Sequence, residues 1–240
     1  MIKAPEKPQD ILEPLTRDYL EAYGKDLVSL MLYGSAAGGD YIKGKSDINI
    51  LVVLTPKGIE RLDACLPLVK TWRKRNVAVP LLMTKEFIAS SIDAYPIEFL
   101  NMQNNSQLIY GENVLEPLTF KPGDLRLQIE REIKGKILWL REGYLECGGS
   151  EKRLRDIIGR SITAFVAIFN ALLYLRTGNI PRNKKETIMR TAETFGLDTG
   201  VYESCLAIRG GIRPSGGAIA VIFKKYLAET KKIAQTVDQL

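Results

Sequence analysis

Tyr33-Gly-Ser-Ala-Ala-Gly-Gly-Asp-Tyr-Ile-Lys-Gly-Lys-Ser-Asp-Ile-Asn-Ile-Leu-Val-Val-Leu54 is the stretch on which the fold turns. Its flanks, Leu27-Val-Ser-Leu-Met-Leu-Tyr33 and Ile48-Asn-Ile-Leu-Val-Val-Leu54, are short, apolar and bounded by turn residues, which predicts two largely buried strands. The loop between them is rich in groups suited to a phosphate. Gly34 lets backbone approach a ligand without a Cβ in the way, Ser35 adds a hydroxyl, and Gly38, Gly39 and Gly44 leave the remainder free to turn. Lys43 and Lys45 are the cations of the same loop and candidates for nucleotide binding. On the second strand side chains alternate, so Asp47 and Asn49 share one face while Ile48 and Ile50 point into the core. A polar pair therefore faces the loop.

This arrangement resembles the signature of the DNA polymerase β-type nucleotidyltransferase superfamily, in which Gly-Ser, a gap of about ten residues and Asp-x-Asp sit on a strand, a loop and a strand. Gly34-Ser35 and Asp47-Ile48-Asn49 stand at the matching positions. Many members carry arginine directly after Gly-Ser, where this chain has Ala36. The resemblance implies a second aspartate where Asn49 stands and a third carboxylate on the following strand, at the position that aligns with Ala78. Family enzymes use the three acids to hold two Mg²⁺ ions, one on the triphosphate and one activating the attacking hydroxyl. Asp47 alone is expected to assist at most in binding an Mg-nucleotide, because a neutral amide offsets none of the repulsion between two dications about 4 Å apart. Glu98 is the nearby acid that could replace a missing carboxylate, its other reading being a solvated or hydrogen-bonded strand residue.

Composition narrows the remaining chemistry. The 240 residues are 45% hydrophobic, enough for a real core in one large or two small domains. No apolar run approaches a membrane span and Met1 to Asp10 lacks an apolar signal segment, so a cytoplasmic protein without a membrane partner is expected. Cys65, Cys147 and Cys205 are far apart and odd in number, which suggests reduced thiols and no metal cluster. The chain has no histidine, which excludes His-dependent triads, imidazole metal sites and a histidine general base. Residues 1–118 carry 13 Lys and Arg against 15 Asp and Glu, leaving 21 against 13 beyond them, so the positive field belongs to the second half.

Taken in order, Pro8 to Tyr23 has apolar residues at helical spacing and stops at Gly24. Thr55 to Gly58 reads as a turn, and Ile59 to Arg75 as a helix with Leu62, Leu66 and Val69 inward and a kink at Pro67. Val77 to Met83 is predicted as the third strand, followed by Thr84 capping a helix over 88–95. Ile97 to Met102 fits a strand or the start of a helix, and Gln107 to Tyr110 a closing strand or turn.

Lys121-Pro-Gly-Asp124 marks the boundary between a nucleotidyltransferase-like domain, 1–120, and a C-terminal helical domain, 121–240. Asp124 is positioned to cap a long helix, Leu125 to Glu146, and Ser150 to cap a second that runs to about Thr177 and ends at Gly178. Further helices fit Lys184 to Phe195, Thr199 to Ile208 and Ala218 to Thr236, the last after the loop Gly210 to Gly217. The fold class is thus α/β, a small mixed-sheet core followed by an α-helical bundle. The resemblance implies a bundle that completes a substrate cleft, but no motif in it carries over. Arg153, Arg155 and Arg160, then Arg182, Lys184 and Lys185, suit a triphosphate, an RNA backbone or a solvated face. Bundles of the HEPN type cut RNA with an Arg and a His, and without histidine that nuclease chemistry is excluded.

The leading expectation is a catalytically impaired nucleotidyltransferase-fold protein that keeps nucleotide or partner binding. One alternative is an active Mg²⁺-dependent enzyme with Asp47 as metal ligand and Glu98 as substitute acid. The other is an antitoxin-like or RNA-binding partner protein acting through the basic bundle.

Overall fold

The computed structural model describes residues 4–214 and 217–240. The chain divides into two compact units, Met1–Phe120 and Lys121–Leu240. In the first, α1 (Leu12–Tyr23) follows a 3₁₀ turn at Pro8–Ile11 and leads to strand β1 (Leu27–Tyr33). Strand β2 (Asn49–Leu54) returns antiparallel to β1, with Tyr33 opposite Asn49 and Leu27 opposite Leu54. Two short helices, α2 (Pro56–Ile59) and α3 (Leu66–Trp72), cross over to β3 (Leu81–Met83), which lies parallel to β2. After α4 (Lys85–Ser91) and α5 (Pro96–Asn104), β4 (Ser106–Gly111) pairs antiparallel with the other side of β1. The sheet order is β3-β2-β1-β4, a mixed sheet.

Alternation along the two central strands explains the core. Leu30 and Leu32 of β1, with Ile48, Ile50, Val52 and Leu54, join Leu15, Tyr19 and Trp72 in one buried cluster. Met31, Leu51 and Val53 alternate to the opposite face and are also buried, as are Ile97, Phe99 and Leu100 of α5. A strand buried on both faces must be apolar throughout, which is why the run from Ile50 to Leu54 carries no polar residue.

Several sequence expectations are corrected here. No continuous helix spans 59–75: the path is α2, a 3₁₀ turn at Leu62–Cys65, α3, and a second 3₁₀ turn at Arg73–Arg75. Pro67 stands in the first turn of α3, where its missing N–H costs nothing, and so starts a helix rather than kinking one. The break rotates the inward face onto Cys65, Leu68, Val69 and Trp72, leaving Leu62 and Leu66 57% and 64% exposed. Thr55 is a helix cap, its hydroxyl accepting from the Gly58 amide at 3.0 Å. The third strand shrinks to Leu81–Met83, because Pro80 offers no ladder donor, although an isolated parallel bridge joins Val77 to Ile48. The run at 97–102 is helical, so Glu98 is an exposed residue in the first turn of α5 and not a strand residue.

The second unit is helical: α6 (Pro122–Glu146), α7 (Glu151–Ala164), α8 (Val166–Thr177), α9 (Lys184–Thr194), α10 (Thr199–Arg209) and α11 (Ala218–Val237). Helix α6 begins with Pro122 after Lys121, which puts Asp124 in the first turn, favourable to the helix dipole, instead of at the cap. Ser150, Asn183 and Asp198 cap α7, α9 and α10 by accepting backbone N–H bonds. The helix expected to run to Thr177 is interrupted at Phe165, between α7 and α8. Gly178 ends α8 in the left-handed conformation, φ 68°.

The core of this unit is aromatic. Phe165 and Phe169 stack at 5.4 Å between centroids, and Tyr202 meets Tyr226 edge-on at 6.0 Å. Contrary to the reading of the sequence, Glu151–Thr177 contains an apolar stretch that by length and composition alone is long enough to span a membrane. Of that stretch 56% is buried within the protein, as befits core helices of a bundle. The Gly210 to Gly217 loop includes Ser215 and Gly216, which lie outside the described residues, as does the start Met1-Ile2-Lys3.

Candidate functional site

The loop from Gly34 to Asp47 rises from the paired ends of β1 and β2. Immediately after β1 the chain tightens into a 3₁₀ turn, Gly34–Ala36. Gly34 takes φ +76°, a left-handed conformation open to glycine at no cost. A Cβ there would stand 3.2 Å from the Asn49 side-chain nitrogen, so the Gly-Ser turn and the first residue of β2 meet directly. The Gly34 amide donates to the Asn105 carbonyl at 2.9 Å, and a Cβ on Gly38 would fall 2.9 Å from the Asn105 side-chain oxygen. Asn105, at the junction of α5 and β4, thus packs against the Gly34–Gly38 segment, as Asn49 does. Nothing in its local sequence announced this, because about seventy residues separate it from the turn.

Within the turn, Ala36 is buried in the sheet core and anchors it. Ala37 and Gly38 both donate to the Gly34 carbonyl, whereas the Ser35 and Ala36 amides donate to no protein carbonyl among the described residues. Two adjacent N–H groups at the start of a helical turn form a concavity suited to an anion. The Ser35 hydroxyl and the Asn49 amide, both half-buried, likewise show no hydrogen bond to protein among the described residues.

The far limb of the loop is fastened. Tyr41 donates to the Pro5 carbonyl at 3.0 Å, Lys43 pairs with Glu6, and Ser46 accepts from the Ile42 amide at 3.0 Å. Asn76 adds a bond from its side-chain nitrogen to the Ser46 carbonyl at 2.8 Å. Lys43 is thereby engaged, while Lys45 is exposed. Asp47 is exposed and sits one residue before the Ile48 bridge, outside β2 proper. Ile48 and Ile50 are buried as alternation requires, which turns Asn49 to the opposite face of the sheet, whereas Ala36, Ala37 and Tyr41 of the loop pack with the Ile48 and Ile50 cluster. Ala78 follows core-facing Val77, is half-buried, and donates its amide to the Ile48 carbonyl at 2.9 Å, one residue before Asn49.

These donors do not fit a pair of Mg²⁺ ions. The expected positions offer one carboxylate, one amide and one methyl group, and among the described residues no three Asp, Glu, Cys or His side chains gather as a metal site. What the Gly-Ser turn and its neighbour Asn49 carry is hydrogen-bond donors without protein partners among the described residues: the Ser35 and Ala36 amides, the Ser35 hydroxyl and the Asn49 side-chain NH₂. Donors of this kind recognise phosphate oxygens directly.

Against known proteins, no family model and no curated sequence matches. Among solved structures, the chain is similar to a spectinomycin adenyltransferase, AAD(9), from Enterococcus faecialis, crystallised with ATP and spectinomycin. The TM-score is 0.51 at 13% identity, covering 92% of this chain and 98% of that one. The chain has a nucleotidyltransferase fold, a mixed α/β sheet with a large helical region.

Proposed function

We propose that this protein binds a nucleotide through its phosphates at the Gly34-Ser35 turn and is impaired in nucleotidyl transfer. The observation that carries the reading is the Asn49 amide lying against Gly34. At this point the polymerase β-type pattern places a metal-binding acid, and here a neutral group that carries N–H donors lies beside the Gly-Ser turn. A carboxylate there would repel phosphate unless a metal bridged them, whereas an amide attracts it unaided. Ala78 stands where the same pattern would place the third acid. The similar adenyltransferase was crystallised with ATP, which supports a nucleoside triphosphate as the ligand class.

The test separates binding from chemistry. Titration calorimetry with ATP, with and without Mg²⁺, is expected to show binding that is weakened by Ser35→Ala. Radiolabelled nucleotides with Mg²⁺ or Mn²⁺ and acceptors including spectinomycin, polyols, RNA and the protein itself are expected to give no appreciable transfer. Asn49→Asp with Ala78→Glu is expected to gain part of it. Robust transfer by the unaltered protein, abolished by Asp47→Ala, would overturn the impaired reading in favour of an active enzyme.

A further inference from the structure

A second concave surface lies wholly within the helical unit and belongs to none of the chemistry above. Two adjoining depressions run along α7. One, of about 470 Å³, is lined by Arg155, Asp156 and Arg160 from α7 with Arg209 and Arg213 from the end of α10 and its following turn. The other, of about 300 Å³, shares Asp156 and Arg160 and continues past Arg153 to Trp139 on α6.

Local structure explains the convergence. Helices α7 and α10 approach closely where Gly159 faces Arg209, a Cβ on Gly159 falling 3.9 Å from the Arg209 Cα. Helix α10 then ends in a turn in which the Ile212 amide donates to the Ala207 carbonyl and the Gly211 amide to the Ile208 carbonyl, with Gly211 at φ +103°. This reversal turns Arg213 back toward α7. At the other end, α6 and α7 touch at Gly143, where a Cβ would lie 3.0 Å from Ile157.

Charge and aromatic character are distributed unevenly along this groove. Arg153 donates to the Glu146 carbonyl at 3.2 Å and Arg155 lies 3.9 Å from Glu151, so both have structural partners. Arg160, Arg209 and Arg213 are exposed and have no ion-pair partner among the described residues. Asp156 and Glu146 are the acids of the two depressions, outnumbered by five arginines. Trp139 is 40% exposed at the far end, an unusual degree for a residue of its size. Arg153 and Arg160 are two helical turns apart, about 10 Å along the axis.

We propose that the α7 groove binds a short single-stranded nucleic acid, with Arg160, Arg209 and Arg213 on consecutive phosphates and Trp139 as a stacking platform for a base. Guanidinium groups in series suit a backbone of phosphates, and an aromatic face at the end of a basic track is what distinguishes single strands from a simple anion. The inference is independent of nucleotide binding at Gly34-Ser35, since it uses residues of the helical unit alone.

The test uses the full chain and fluorescein-labelled twelve-nucleotide oligo-U and oligo-dT, followed by anisotropy between 50 and 200 mM KCl. Binding is expected to weaken at least tenfold in Arg160→Ala/Arg213→Ala. The slope of log K against log salt is expected to become shallower by about 0.7 for each phosphate that is no longer neutralised. Trp139 fluorescence is expected to be quenched on binding, against a constant background from buried Trp72, and Trp139→Ala to weaken binding. Lys225→Ala/Lys231→Ala, which removes two exposed charges outside the groove, is expected to change little. Four results would overturn the proposal: no binding by the unaltered chain, equal weakening in the arginine and lysine pairs, equal affinity for duplex DNA, or displacement by pyrophosphate as effective as by unlabelled oligonucleotide at the same phosphate concentration. Melting curves of the variants, expected to match the parent because the mutated side chains are exposed, separate a failure to bind from a failure to fold.

Discussion

Gly34→Ala tests the Gly-Ser turn most directly, because its two effects have separate origins. At φ +76° an alanine is strained by about 1–2 kcal/mol relative to glycine. Its methyl group would lie 3.2 Å from the Asn49 nitrogen, so that amide must shift by a few tenths of an ångström. A stability loss of about 1–2 kcal/mol corresponds to a fall in Tm of roughly 4–8 °C for a unit of this size. The shift also misaligns the Asn49 donor. Losing one hydrogen bond to a charged phosphate costs about 1.5–3 kcal/mol, or roughly 10- to 150-fold in ATP affinity. Gly39→Ala supplies the comparison: its φ is +85°, yet no heavy atom lies within 4 Å of the added Cβ. It is expected to lower Tm by a similar amount and leave ATP affinity nearly unchanged. Differential scanning fluorimetry and calorimetric titration measure both quantities for each variant. Equal ATP affinities in the parent and Gly34→Ala, alongside a lowered Tm, would refute the assignment of the nucleotide to this turn.

Two further outcomes are expected. Burial pushes the Cys205 thiol up to about 12 from an ordinary value of 9.0, so between those pH values the unfolded chain has lost a proton that the folded chain retains. Stability contributed below pH 9 is therefore lost as pH rises through that window, by up to about 1.4 kcal/mol per pH unit, and urea midpoints measured from pH 8 to 11 should fall less steeply in Cys205→Ala than in the parent. In Asp198→Ala, the capping oxygen that accepts from the Gly200 and Val201 amides at 3.0 and 3.4 Å is lost. Urea denaturation is expected to show a loss of about 1 kcal/mol, with Asp198→Asn close to the parent.

The features legible in the sequence were those with local causes. Strand β1 occupies Leu27–Tyr33 as expected, because an apolar run between a glycine and a Gly-Ser turn leaves little freedom at either end. The caps at Thr84 and Ser150 and the glycine stop at 178 were equally readable, since each is a side chain or a missing Cβ acting within four residues. Helix α5 was not: Ile97 to Met102 is apolar without a distinguishing period, and burial of Ile97, Phe99 and Leu100 decides its conformation through tertiary packing. The rotation at α3 is equally hidden, because Pro67 has the same residue type whether it kinks a helix or begins one. Of the candidate site, Gly34, Ser35 and Asn49 were visible as a motif, while Asn105 was invisible because a carbonyl bond across the sheet leaves no trace in composition.

The ties from the loop to Pro5 and Glu6 give the residues ahead of the first helical turn a mechanical role. An antiparallel pair joined by the fifteen residues 34–48 is far from a tight hairpin, and the entropy of closing such a connection grows with its length. By fastening Tyr41 and Lys43 to the arm, the protein divides that long connection into two shorter spans with an anchored point between them. Whatever orders the loop therefore also orders the arm, and the reverse holds by the same coupling free energy. The leading residues act as a stay line on the Gly34–Asp47 loop, holding its far limb although they belong to neither strand.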